Sequence, residues 1–299
     1  MNQIAIRMGV WIGIVVGALA AAPTVEGGPP NRSRTPQFSV ETAALGIPPT
    51  DVRGGGRWSL FEYGGGAGYR FGTPTGTVRW GVGWRRARFD ADGLDHPVWS
   101  ELEGDYERGS VNFLFLRPGR WTWTAMADLE TSYRAGADPA DGISAFVLAA
   151  AQTQISPKLK LGGGALALFS LDRDPLVIPI PLFEYQWNSE WSLALERGAT
   201  LRHRPGGGPS SFFLALTPER HRYRLPDDAA EAPGGVFAQY RIDARAGWEG
   251  PVARGARLRG FVGTAAWQEF IAKDSDRRTL RRERADLAFV AGIEAVLSF

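Results

Sequence analysis

From Gly56 onward, apolar and polar residues alternate with a period of two. In GVFAQYRIDARAGWEG (residues 235–250), Val236, Ala238, Tyr240, Ile242, Ala244, Ala246 and Trp248 share one parity, and Gln239, Arg241, Asp243, Arg245 and Glu249 share the other. TVRWGVGWR sets Val78, Trp80, Val82 and Trp84 against Arg79 and Arg85, and RWTWTAMADLETSY sets Trp121, Trp123, Ala125, Ala127 and Leu129 against Thr122, Thr124, Asp128 and Glu130. Successive strand side chains point to opposite faces, so each segment predicts a strand with one apolar and one polar face. These segments outrun the roughly 5 or 6 residues of an average soluble strand.

Tight connections fall at residues 73–76, 118–119, 156–158, 188–190 and 250–256, and longer polar ones at 90–100, 134–142, 226–235 and 272–283. Short and long connections largely alternate, as in an up-and-down sheet with tight turns at one end and loops at the other. Residues 38–45 read as a first strand, and 191–225 must hold three strands, split near 196–198 and 205–209. The count is about 14 strands, with 12 as the fallback, because such barrels carry an even number. A long antiparallel sheet hides its edges by closing, and in hydrocarbon closure is compulsory. The fold predicted is all-β: a closed antiparallel up-and-down transmembrane β-barrel. A soluble barrel would turn its apolar parity inward and would be extracted in buffer without detergent.

The opening residues favour export. One basic residue, Arg7, precedes an apolar run and small residues at Ala18, Ala20, Ala21 and Ala22, which is the layout of a secretory signal. The division expected is a signal peptide at 1–22, a Pro- and Gly-rich linker at 23–36 and a barrel at 37–299. The location expected is the bacterial outer membrane. Trp121, Trp123, Trp187, Trp191 and Trp248 lie beside tight turns, where an interfacial girdle needs them.

The last strand, RADLAFVAGIEAVLSF, places Ile293, Ala295, Leu297 and Phe299 on one apolar parity. It resembles the C-terminal signal by which the barrel-assembly machinery recognises bacterial outer-membrane barrels, and that resemblance implies that the final strand closes the barrel against the first. The layout of WNSEWSLAL (187–195) and ERHRYRLPDD (219–228) before a set of long hairpins resembles an uncharacterised family of predicted outer-membrane barrels, a domain of unknown function that offers no catalytic residues to carry over.

Composition narrows the chemistry. With no cysteine among 299 residues, disulfides and thiolate catalysis are excluded; three histidines make a histidine-rich metal site improbable. A formal charge of +2, from 34 basic and 32 acidic residues, excludes a nucleic-acid-binding surplus. No metal, cofactor or catalytic residue is expected. GGGAG (64–68) lacks the Lys-Ser/Thr and following helix of a phosphate loop and reads as a bend or close approach in a barrel wall. His203 and His221, near Ser210 and Ser211, are where a lipid-hydrolase triad is conceivable, although exposed basic residues are the simpler reading and no G-x-S-x-G motif occurs.

The charged residues of the polar parity are the lumen candidates: Arg79, Arg85, Asp128, Glu130, Arg241, Asp243, Arg245, Asp286 and Glu294. They form either the wall of a water-filled pore or a salt-bridged filling. Arg277, Arg278, Arg281 and Arg282, read as part of the last long loop, are candidates for outer-membrane lipid or lipopolysaccharide headgroups, or else pair with Asp274, Asp276 and Glu283. The function expected is passive passage of small solutes, with no bond chemistry. A closed structural or ligand-binding barrel is the alternative, and a lipid-modifying enzyme a more distant one. Oligomeric state is not legible.

Overall fold

The computed structural model describes residues 36–53, 55–94, 97–100, 103–195 and 198–299; the expected signal peptide and nearly all of the linker lie outside them. The described residues form fifteen strands: β1 (Gln37–Asp51), β2 (Arg57–Thr73), β3 (Gly76–Asp92), β4 (Gly104–Arg117), β5 (Trp121–Arg134), β6 (Ile143–Ser156), β7 (Leu159–Ser170), β8 (Arg173–Gln186), β9 (Trp191–Leu195), β10 (Ala199–His203), β11 (Ser211–Arg224), β12 (Val236–Ala253), β13 (Ala256–Lys273), β14 (Thr279–Ala285) and β15 (Ala288–Ser298). A short helix, α1 (Pro97–Ser100), lies between β3 and β4.

Each strand pairs antiparallel with the next from β1 to β13, then β13 pairs with β15 and β15 with β1. The result is a closed ring of 14 strands. The start of β1, the end of β15 and the tight turns share one end: Phe299 N–H donates to the Phe38 carbonyl at 2.9 Å, and Ser298 N–H to that of Gly255 at 2.8 Å. The three strands expected within 191–225 are β9, β10 and β11.

Two expectations are corrected at the C-terminus. Residues 272–283 are not a long loop. β13 runs to Lys273 and β14 starts at Thr279, leaving only 274–278 as a turn, because the end of β13 would otherwise present an unpaired edge. Residues 285–299 are not one unbroken strand either. β14 and β15 continue each other in register along β13, but the line breaks at Asp286 and Leu287. The break lies opposite Thr50 and Asp51 of β1, where Asp286 N–H still donates to the Asp51 carbonyl at 3.0 Å and Val52 bridges Ala285.

The apolar parity faces out. Val40, Val82, Val111, Val147, Leu214, Leu216, Val262 and Phe289 are all exposed, while Glu62, His221, Gln239, Arg241, Asp243, Arg245 and Gln268 are buried. That inverts the soluble pattern and is the arrangement a bilayer requires. On β5 the outward series from Trp121 to Thr131 spans ten residue steps; at roughly 3.4 Å each, tilted by about 40°, it covers about 26 Å, the height of a lipid-facing belt. Trp121, Trp123, Trp187 and Trp191 are exposed beside the tight turns.

The ring is uneven. β9 and β10 have five residues each, pair with each other, and otherwise reach only Phe183–Gln186 of β8 and Phe212–Leu216 of β11. Beyond them, among the described residues, no strand fills the space between 173–182 of β8 and 217–224 of β11. β11 instead reaches across to β5, with Arg224 beside Tyr133. β8 suits an open edge, because Pro175, Pro179 and Pro181 lack N–H donors at positions of one parity.

Candidate functional site

The interior is built by inward side chains of β1–β6, β11–β13 and β15, and it changes character along the barrel axis. At the loop end, β2–β4 meet β11–β13 face to face. Trp58 and Phe270 stack edge-on at 4.8 Å, Phe89 and Phe237 at 5.3 Å, and Tyr106 approaches Tyr223 at 4.6 Å. Leu60 and Leu225 pack with them, and Val98 and Trp99 of α1 are buried in the same cluster. Ring pairs at these separations add about 0.5–1.5 kcal/mol each beyond area burial. The loop end is therefore shut by an aromatic plug.

Beneath the plug lies a layer of paired charges. Arg85 donates to Glu62 at 2.9 Å, Arg108 lies 2.9 Å from His221 Nδ1, and Arg108 Nε is 3.6 Å from Glu130. Arg241 sits 2.8 Å from Asp243; Arg245 donates to Asp243 and to Glu219, each at 2.6 Å. The guanidinium of Arg245 also rests 4.6 Å from the centre of the Phe261 ring. Buried charges persist when paired, and each of these has an opposite charge or polar group beside it, although Arg241 Nε and Asp243 Oδ1 make an ion pair without a well-aligned hydrogen bond.

Toward the tight turns the interior widens into a polar cavity of ≈ 470 Å³, whose lining includes Glu41, Arg79, Ser110, Asn112, Asp128 and Glu294, with Met126 and Phe146 on one side. A smaller cavity of ≈ 150 Å³ beside Glu62, Glu219 and Arg241 lies at the charged layer. Room for the wide part comes partly from glycine. A Cβ on Gly64 would stand 2.2 Å from the Trp84 carbonyl oxygen, so the GGGAG stretch permits close strand approach in the wall.

The lumen candidates thus fall into separate places. Arg241, Asp243 and Arg245 belong to the charged layer. Arg85, Glu130 and Glu294 line the cavity wall with Arg79 and Asp128, where Arg79 lies 3.7 Å from Glu41. Asp286 is in the break between β14 and β15, exposed and paired with Arg53 at 3.4 Å, away from the cavities.

Two of the four arginines read as loop residues, Arg281 and Arg282, are on a strand, and Arg277 and Arg278 are in the turn before it. Arg281 pairs with Glu283 and Arg282 with Glu269, both from β14, while Arg277 reaches Asp174 and Arg278 reaches Asp276. His221 is buried, which corrects its reading as an exposed base. The hydrolase arrangement is not assembled, since each member has a different neighbour: His221 meets Arg108, His203 stacks on Trp191 at 4.3 Å, and Ser211 donates to Glu249 at 3.2 Å.

Glu62, Arg108, Glu219 and Gln268 escaped sequence reasoning, and Gln239 was placed on the polar face without being singled out. In β2 the signal is blurred, because Trp58, Leu60 and Glu62 share a parity while Phe61 and Tyr63 share the other. Neither face of that segment is consistently polar.

No protein-family model matches the chain and no curated protein matches it, so the resemblance to an uncharacterised barrel family rests on layout alone. Among solved structures, the chain is similar to the toluene transporter TodX of Pseudomonas putida, at 10 % identity over 94 % of this chain and 93 % of that one, with a TM-score of 0.44. It is similar to the translocator domain of the autotransporter NalP from Neisseria meningitidis, at 11 % identity over 99 % and 96 %, TM-score 0.35. It is also similar to a FadL homologue of Pseudomonas aeruginosa, at 10 % identity over 88 % and 89 %, TM-score 0.31. Likeness at this level assigns no activity.

Proposed function

We propose that this barrel is a passive outer-membrane conduit for small solutes, held closed at its loop end. The observation that carries the reading is the ≈ 470 Å³ polar cavity inside a barrel whose outer surface is apolar. A barrel that only anchored itself in lipid would have no need of a hydrated interior, and smaller barrels are filled by side chains. The tight turns and chain ends face the periplasm in such barrels and the loops face outward. On this reading the aromatic plug is the outer barrier and the cavity is its inner vestibule.

Export by residues 1–22 and recognition by the assembly machinery through Ile293, Ala295, Leu297 and Phe299 belong to the same proposal. So does contact of Arg277, Arg278, Arg281 and Arg282 with outer lipid headgroups. The chemistry asked of the protein is binding and exclusion, with no catalytic residue, metal or cofactor.

A second reading, a closed structural barrel, is favoured by the packing of the plug over a paired charge layer. Single-channel recording in a planar bilayer separates the two. The wild-type protein is expected to show rare steps, and a Phe89→Ala/Phe237→Ala variant frequent ones. A variant that folds, judged by heat-modifiable gel mobility, and stays silent overturns the conduit.

A further inference from the structure

The side of β11–β13 opposite the aromatic plug carries a second concentration of charge. Asp172, in the turn between β7 and β8, is buried there, while Arg220 and Arg222 of β11 and Tyr240 of β12 project from the parity opposite to His221, Tyr223 and Phe237. Asp172 lies 2.8 Å from Arg222, 3.1 Å from Arg220, 3.4 Å from Arg173 and 3.8 Å from Lys273. Tyr240 donates to it at 2.8 Å and accepts from Arg173 at 2.6 Å. Lys273 Nζ also donates to the Asp172 carbonyl at 2.6 Å.

Four cations converge on one carboxylate. The nearby acids are already engaged elsewhere: Asp174 with Arg277 at 3.1 Å, and Asp141 and Asp227 with Arg224 at 3.8 and 3.4 Å. The Tyr240 ring faces the guanidinium groups of Arg220 at 5.2 Å and Arg173 at 5.7 Å, which relieves part of their mutual repulsion. Nε of Arg173 and Nε of Arg220 are nevertheless buried without an acceptor among the described residues. Such an arrangement is electrostatically incomplete, and what completes it is an anion with several acceptor oxygens.

We infer that Arg173, Arg220, Arg222 and Lys273 form a seat for the phosphate of a membrane lipid headgroup. Depth argues for a lipid rather than a free anion. On β11 the outward series Phe212, Leu214 and Leu216 is more than half exposed and gives way to Arg220, about 14 Å further along the strand. Ile242 and Trp267 are the exposed outward residues of β12 and β13 below the same level. The cluster therefore sits where the apolar belt ends, at headgroup height. Beside it the unpaired edge of β8 exposes Leu176, Val177 and Ile178, an apolar surface on which an acyl chain lies without displacing any strand. Basic pockets between spanning elements hold lipid phosphates by the same chemistry. The inference does not depend on the conduit reading.

The test is native mass spectrometry of the protein purified from membranes in detergent. The probes are phosphatidic acid, the diacylglycerol with the same chains, and inorganic phosphate. One phosphatidic acid is expected to be retained, and diacylglycerol not. Arg220→Gln/Arg222→Gln is expected to weaken retention about tenfold or more, since each charge-assisted bond is worth that order. Asp172→Asn is expected to strengthen it, because it removes the one competing anion, and Lys158→Gln, in the tight turn between β6 and β7 at the other end of the barrel, to leave it unchanged. Undiminished retention in a folded Arg220/Arg222 variant, or weakened retention in a folded Asp172→Asn variant, overturns the seat. Displacement of the lipid by inorganic phosphate at equal concentration also overturns it, leaving a free-anion site.

Discussion

Asp243 offers a sharp test of whether the charged layer is structure or pore wall. Its side chain and that of Arg241 are 0 % and 1 % exposed, and they lie 2.8 Å apart. Asp243→Asn keeps the shape and removes the charge. Arg245 retains Glu219 at 2.6 Å, but among the described ion pairs Arg241 has only Asp243. An uncompensated guanidinium is then left in a desolvated site, which costs about 3–5 kcal/mol. That is roughly a hundred- to several-thousand-fold in the unfolding equilibrium. Replacing both partners with apolar residues, Arg241→Met/Asp243→Leu, removes the charge together with its desolvation and is expected to come within about 1 kcal/mol of the parent. The assay is urea unfolding in lipid vesicles, followed by far-ultraviolet circular dichroism and tryptophan fluorescence together. The reasoning is refuted if Asp243→Asn unfolds within about 0.5 kcal/mol of the parent, or if the double variant is as unstable as the sum of its singles.

Three further outcomes are expected. Because the chain has no cysteine, single cysteines report orientation directly: at Val111 or Leu214 they are expected to react with a lipid-soluble maleimide and at Ser110 or Asn112 with a water-soluble one, and equal labelling of neighbours by both reagents would contradict the inside-out surface. Gly64→Ala is expected to destabilise by about 1–3 kcal/mol in the same urea titration, since its Cβ meets backbone oxygen at 2.2 Å; an unchanged midpoint would show that the strands can separate there. Deleting Phe299 removes two backbone hydrogen bonds to Phe38 and a ring contact at 6.2 Å, and is expected to lower the heat-modifiable fraction made in cells more than the fraction refolded in detergent; equal losses would place its role in stability alone.

Much of the architecture was legible because its determinants are local. Alternation along 77–85, 121–133 and 236–249 marks strands wherever the chain sits, and Pro-Gly or Asn-Ser turns mark their ends regardless of partner. Counting those turns, together with the even number such barrels carry, led to about 14 strands, including the short pair β9 and β10. Tryptophans beside tight turns pointed to the interface for the same reason: their position depends only on the nearest turn.

The interior was decided elsewhere. Trp58, Phe89, Tyr106, Tyr223, Phe237 and Phe270 share the inward parity with Glu62, Arg85, Arg108, His221, Gln239 and Gln268, so parity identifies both sets as inward and cannot say which will plug and which will pair. That depends on β2–β4 lying opposite β11–β13, a relation between segments more than a hundred residues apart. The arginines around Asp172 have the same origin. Their strands face outward, and only because β9 and β10 are too short to fill the wall does the β7–β8 turn reach β11, β12 and β13. Alternation along a strand is set by backbone geometry within a few residues; what faces what across a closed ring is set by which strands are long enough to meet.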